Sequence, residues 1–295
     1  MTKTSLRACA MAVLLVLTSL PCFAQSTPSV LWKPASLANG SPCLFIVQSP
    51  DASSITGTWQ GHPLSFFRAG SSWYALAGVD IEVAPGSYPV KIEVTSPGGM
   101  TRTFNRDITI SIAPYKEVPL TVPEKFVQPD AKAQKIIAAD KIVKDKVFAS
   151  SAPKALLSGR FSPPLPVAPT TDSFGTRRVF NGKLASIHRG LDYRAKPGTP
   201  VASVNSGRVV LARPLYYEGN CVIIDHGLGL MTLYMHLSKF KIAEGARVKR
   251  GQIIALSGGT GRATGPHLHL GVRWQGEYLD AAKLFALDVP VPSQP

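Results

Sequence analysis

In the stretch TGPHLHLGV, Thr264–Val272, two histidines stand one residue apart in an apolar run behind a Gly-Pro step. In a strand, residues i and i+2 point to the same face, so His267 and His269 project together. Neutral imidazoles side by side need hydrogen-bond partners or something that binds them both. Two readings stand next to each other: a satisfied pair of surface histidines, or part of a metal site.

Five of the six histidines, His188, His226, His236, His267 and His269, fall within residues 151–295. In SIHRGLDYR, His188 precedes Asp192 by four residues. Metal–nitrogen and metal–oxygen bonds to zinc are ~2.0–2.2 Å, whereas a fully extended four-residue step covers ~13 Å. If both side chains hold one ion the segment must bend, and Gly190 lies between them to allow it. His, Asp and a distant His make three ligands and leave a fourth position open, the layout of a catalytic rather than a structural zinc site. A structural site would call on cysteines, and the chain has four, two of them near the N-terminus.

FGTRR, HRGLD, GNCVIIDHG, TLYMHL, GARVKRGQIIALSGGTG and TGPHLHLGV follow one another with short gaps. The segment from about Phe174 to Phe285 resembles the lysostaphin-type (LytM) zinc metallopeptidases. Its two diagnostic motifs, H-x-x-x-D and H-x-H, are intact, with YMHL between them. The resemblance implies that His188, Asp192 and His269 hold Zn2+, and that His236 and His267 are catalytic. It implies a peptidoglycan endopeptidase that works through a metal-activated water. It also implies an exported bacterial protein with a β-sandwich and a linker helix ahead of the peptidase domain. His226 lies outside both motifs and reads as a strand-end histidine. Asn220 and Tyr234 either line the groove or pack. The SGGTGRATG stretch lacks the Lys-Ser/Thr ending of a phosphate loop and reads as a loop bordering the site.

These motifs need a scaffold, and the chain reads as mainly β. Twenty-five glycines and twenty-five prolines point to many turns. From about Val30 to Val122 short alternating runs recur at the spacing of a sandwich. SYPVKIEV, for example, places Val90, Ile92 and Val94 on one face. An Ig-like β-sandwich over 25–122 is expected, with His62 a surface or turn histidine. Residues 123–150 read as a linker: Asp130 is an N-cap, and Ile136, Ala139, Val143 and Val147 form one apolar stripe of a helix. In 151–295, strands follow one another without helices between them, as in an antiparallel β domain rather than a parallel α/β sheet.

Residues 1–24 have the positive start, short apolar run and small-residue end of a signal peptide, with cleavage expected after Ala24. The apolar run is too short for a transmembrane anchor, and no later stretch is long enough for an integral membrane span. Cys43 and Cys221 then remain, expected as two unpaired, buried thiols. The formal charge is +14, and +12 without Lys3 and Arg7. Residues 25–125 hold seven basic and seven acidic side chains. Residues 126–295 hold 23 and 11, so the whole excess lies there. A basic face on an exported protein calls for an anionic partner. Nucleic acid is the generic candidate for such charge but is out of place outside the cytoplasm; wall polymers such as peptidoglycan and anionic membrane surfaces fit better, and the expected location is the periplasm.

Two other functions compete with the wall endopeptidase. One is a non-catalytic wall-binding or amidase-activating LytM-like protein, which typically lacks metal ligands or catalytic histidines. The other is a zinc peptidase acting on soluble proteins. All five positions are filled here, which favours an enzyme. Of the family's target bonds, a D-Ala–diaminopimelate cross-link suits a periplasmic protein better than a glycine bridge.

Overall fold

The computed structural model describes residues 28–119, 129–166, 169–180 and 183–293. The expected signal peptide lies outside them. The first strands are β1 (Ser29–Lys33), β2 (Leu37–Ala38), β3 (Pro42–Gln48), β4 (Ser54–Trp59), β5 (His62–Pro63), β6 (Phe67–Ala69), β7 (Ser72–Gly78), β8 (Gly86–Thr95) and β9 (Thr101–Ser111). They form a four-stranded sheet, β1-β3-β7-β6, and a five-stranded sheet, β2-β9-β8-β4-β5. The alternation in β8 buries Val90, Ile92 and Val94 and leaves Lys91 and Glu93 outside as an ion pair of 2.8 Å. The sheets meet where Phe45 of β3 packs edge-on against Trp59 of β4, ring centroids 5.7 Å apart. The buried Trp59 Nε1–H is satisfied by the Gly78 carbonyl at 2.8 Å.

β10 (Glu117–Pro119) leaves this unit and pairs in parallel with β12 of the following one. Helix α1 (Ala131–Phe148) starts at Asp130, whose side chain accepts from the Ala133 N–H at 2.8 Å. The stripe expected on this helix is rotated. Ile136 and Ala139 are exposed, and the buried positions are Ala133 and Asp140, with Val143, Val147 and Phe148 against a small apolar cluster. Asp140 turns inward because its carboxylate accepts from the Tyr216 N–H at 2.7 Å. One buried acceptor thereby displaced the apolar pattern.

The remaining elements are β11 (Thr170–Asp172), β12 (Arg177–Phe180), β13 (Lys183–Ile187), β14 (Leu191–Arg194), β15 (Pro200–Ala202), β16 (Gly207–Leu215), β17 (Gly219–Asp225), β18 (Leu230–Phe240), β19 (Arg247–Val248), β20 (Ile253–Ser257), β21 (His267–Trp274), β22 (Glu277–Leu279) and the short helix α2 (Ala281–Ala286). β10, β12 and β13 make a three-stranded sheet. A ten-stranded sheet runs β11-β14-β21-β18-β17-β16-β19, with β22 beside β21 and the β15–β20 pair joined through β18. Every pairing in that large sheet is antiparallel.

The large sheet and the sandwich share one continuous apolar core. Leu279 of β22 lies where a Cβ on Gly78 would be, 2.3 Å from its Cδ2. The Asp280 N–H donates to the Gly40 carbonyl at 2.9 Å, and the Tyr278 N–H to the Asp80 carboxylate at 2.9 Å. His62 belongs to this joint rather than to a free surface. It stands 3.0 Å from Glu277 and edge-on to Trp274. Cys43 and Cys221 are buried and unpaired, as expected. Among the described residues no helix is long and apolar enough to cross a membrane.

Candidate metal centre

β14 and β21 are antiparallel neighbours, with Asp192 opposite His269 and Arg194 opposite His267. Residues opposite each other share a face. Leu268, Leu270 and Val272 alternate to the other face and are fully buried in the core. The opening pair of histidines thus stands on one face of a central strand, beside a carboxylate. Helix α1 covers another part of that same face, because Leu233 and Met235, opposite Gly271 and His269, lie in the cluster it packs on.

His188 arrives from the segment between β13 and β14. A turn at 173–176 holds it from three sides. The Gly175 N–H donates to the His188 carbonyl at 2.8 Å, the His188 N–H donates to the Thr176 carbonyl at 2.8 Å, and Nδ1 lies 2.9 Å from the Ser173 carbonyl. A carbonyl only accepts, so Nδ1 carries a proton there and Nε2 is the ring atom turned inward. Gly190 has a role beyond the bend expected of it. A Cβ there would lie 2.3 Å from His269 Nε2 and 2.8 Å from the Leu270 carbonyl. The glycine makes room for the His269 ring.

The result is a cluster of three donor atoms. His188 Nε2 lies 3.1 Å from Asp192 Oδ1 and 3.1 Å from His269 Nδ1, and His269 Nδ1 lies 2.8 Å from Asp192 Oδ1. A tetrahedral ion with bonds of ~2.0–2.1 Å spaces its donors roughly 3.3 Å apart. The three atoms fit that frame. Three electron-pair donors this close also need positive charge among them. A proton serves one pair, whereas a metal ion serves all three.

The electrostatics agree. Burial opposes ionisation of Asp192, yet hydrogen bonds from His188 and His269 outweigh it and hold the carboxyl well below its ordinary range. Burial also opposes charge on His188, but the hydrogen bond and charge of Asp192 win and raise its pKa. In His269 burial prevails and the pKa falls.

His236 reaches this face through a bulge. Asn220 pairs with Leu237 and Val222 with Tyr234, so Met235 and His236 together oppose Cys221. His236 has φ of 60°, a left-handed conformation uncommon outside glycine. The bulge turns its ring towards His267, with centroids 4.7 Å apart, and to within 6.1 Å of His269. Its Nδ1 lies 2.8 Å from the Thr260 carbonyl, and His267 Nδ1 lies 2.8 Å from the Gly265 carbonyl. Both rings are therefore oriented by the 258–266 loop through Nδ1, and among the described residues neither Nε2 makes a hydrogen bond. His267 Nε2 faces the second Asp192 oxygen at 3.9 Å. Burial depresses the His236 pKa to about 4.

The other histidine of this region is excluded. His226 is fully buried, between the Ser206 carbonyl at 2.7 Å and the Thr232 hydroxyl at 2.8 Å. Tyr234 is core, its oxygen accepting from the Val204 N–H at 2.8 Å. Asn220 braces the bulge by donating to the Leu237 carbonyl at 3.0 Å. Sequence reasoning missed the carbonyls of Ser173, Thr260 and Gly265, because backbone acceptors leave no mark in residue type. The Gly-Pro and Gly-rich stretches around two of them were the only signal.

An antiparallel β fold carrying a His-Asp-His cluster with two further imidazoles beside it fits a metallopeptidase. Residues 186–281 match the family model described as Peptidase family M23. The peptidoglycan DD-endopeptidase ShyA of Vibrio cholerae is 46% identical over 114 residues, which are 38% of this chain and 26% of that protein. The DD-carboxypeptidase/endopeptidase Mpg of Neisseria meningitidis is 42% identical over 108 residues, 37% of this chain and 25% of that protein. The chain thus spans about a quarter of the length of these relatives. A peptidase M23 structure from Pseudomonas aeruginosa superposes with a TM-score of 0.64 at 24% identity, over 84% of this chain and 94% of that one, which shows a shared fold. Residues 186–281 thus match a domain of peptidase family M23, and an additional β region lies ahead of it.

Proposed function

We propose that this chain is an exported zinc metalloendopeptidase that hydrolyses peptide cross-links of bacterial peptidoglycan. One observation carries the reading. His188 Nε2, Asp192 Oδ1 and His269 Nδ1 converge within 3.1 Å of one another, beside two further imidazoles whose Nδ1 atoms are tied to backbone carbonyls. The chemistry of the relatives, described as DD-endopeptidases, supports the D-Ala–diaminopimelate bond as the target. A wall substrate fits a location outside the cytoplasm, read here as the periplasm, with residues 1–24 removed as a signal peptide. Residues 25–122 would form the sandwich unit, 123–150 the linker and 151–295 the peptidase unit.

His188, Asp192 and His269 would hold Zn2+, which supplies Lewis acidity that makes a water acidic and polarises the scissile carbonyl. His236 and His267 do the proton work. With Nδ1–H tied to a carbonyl, a neutral ring accepts at Nε2 and a protonated ring donates there. One of them takes the proton of the attacking water and returns it to the leaving amine. The other, when protonated, donates to the oxyanion. The filled ligand set and both imidazoles argue against a non-catalytic wall-binding or amidase-activating role.

The test is digestion of purified peptidoglycan with the chain, with and without a chelator, followed by mass analysis. Loss of dimeric muropeptides only in the chelator-free sample is expected. Intact cross-links in both would reject the enzyme, and cleavage of soluble proteins alone would reject the substrate.

A further inference from the structure

Tyr115 comes from the sandwich side of the chain, past the end of β9, yet it reaches the turn that clasps His188. Its ring occupies the space beside Gly175: a Cβ on that glycine would lie 2.0 Å from Tyr115 Cδ1. The ring meets Phe174 edge-on, centroids 6.1 Å apart. Gly40 clears the other side, since a Cβ there would lie 2.2 Å from the Tyr115 hydroxyl and 2.5 Å from Phe174 Cε1. The hydroxyl donates to the Asn39 carbonyl at 2.6 Å. Asn39 is itself pinned, donating to the Ile81 carbonyl at 2.6 Å and accepting from the Ala113 N–H at 2.7 Å. The next residue but one from Tyr115 begins β10, which pairs with β12 and so ties the C-terminal end of the turn to the segment that carries Tyr115. The Arg177 N–H also donates to the Lys116 carbonyl at 2.7 Å.

We propose that Tyr115 is a positioning residue for the metal ligand His188, so that the sandwich region is a structural part of the metal centre. The inference rests on the zinc reading above. The path is short. Tyr115 fills the gap against Gly175, Gly175 donates to the His188 backbone, and Ser173 of the same turn fixes the His188 ring. Partners that orient a metal-bound imidazole commonly contribute ten- to hundredfold in metal affinity. Removing the Tyr115 ring frees the turn and lets His188 sample orientations in which Nε2 points away from Asp192.

The experiment measures the zinc dissociation constant of the full chain by competition with a chromophoric chelator, well below the melting temperature of every variant. Tyr115→Ala should weaken zinc about tenfold or more. Tyr115→Phe keeps the ring and should stay within about twofold of the parent. His62→Ala loosens the same joint at Glu277 and Trp274, away from His188, and should leave zinc affinity unchanged. If Tyr115→Ala does not fold, Tyr115→Leu takes its place. Equal zinc affinity in Tyr115→Ala and the parent overturns the inference, as does an equal loss in His62→Ala. A parent chain that binds no zinc overturns the zinc reading and this inference together.

Discussion

Asp192 and His269 face each other across β14 and β21, with Oδ1 and Nδ1 2.8 Å apart. Seventy-odd residues separate them in sequence, yet backbone pairing alone brings them together. The carboxylate supplies the only formal negative charge of the three-donor cluster. Asp192→Ala should therefore strip zinc from the purified protein and abolish cleavage, as read by metal analysis and muropeptide release. An alanine variant with full zinc and full activity would reject the ligand assignment.

His267 and His269 share a face but differ in partners. His269 Nδ1 lies within the donor cluster, while His267 points its Nε2 past it. His269→Ala is expected to lose zinc and activity. His267→Ala should retain zinc and lose at least about a hundredfold in kcat, the ordinary contribution of general acid–base catalysis. Equal zinc loss in both would remove the distinction.

Gly190→Ala tests the space argument. The added methyl meets the His269 ring at 2.3 Å and backbone at 2.8 Å, so the ring or the strand must move. Overpacking of this kind costs about 1–3 kcal/mol. Reduced zinc content with a lowered melting temperature is expected. An unchanged zinc content would show that His269 yields without losing its place.

His226 gives a pH prediction away from the metal. Burial lowers its pKa from 6.5 to about 4. Between those values the unfolded chain binds more protons than the folded one, so stability rises with pH there. It is complete above about pH 6.5 and is lost as pH falls towards 4, by on the order of 3 kcal/mol for this group. Urea unfolding across that window should show a shallower pH slope in His226→Gln than in the parent. Parallel slopes would contradict the shift.

Much of the site was readable from residue types. The period of two placed His267 and His269 on one face, and their spacing from the H-x-x-x-D pair matched a known architecture. The alternation of β8 was equally plain. His236 was flagged only by resemblance, since a bulge that turns a residue to the other face erases the period that would reveal it. Half of the stripe on α1 was misplaced: Val143 and Val147 pack as expected, but Ile136 and Ala139 do not, because a buried carboxylate, Asp140, took a position that hydropathy assigns to solvent. His62 was assigned to the surface because its partner, Glu277, is more than two hundred residues away. Contacts of that range leave no local trace.

Leu279 resting in the space above Gly78 has an implication for how such chains can be recombined. The sandwich and the peptidase sheet meet by interlocking, with a glycine on one side shaped for a leucine on the other, and again at Gly40 and Gly175 around Tyr115. A chimera that borrows either half from a relative must borrow its complementary surface too. The two halves behave as a matched pair rather than as interchangeable beads, and swaps between relatives are expected to succeed only when the cut leaves each glycine with its own partner.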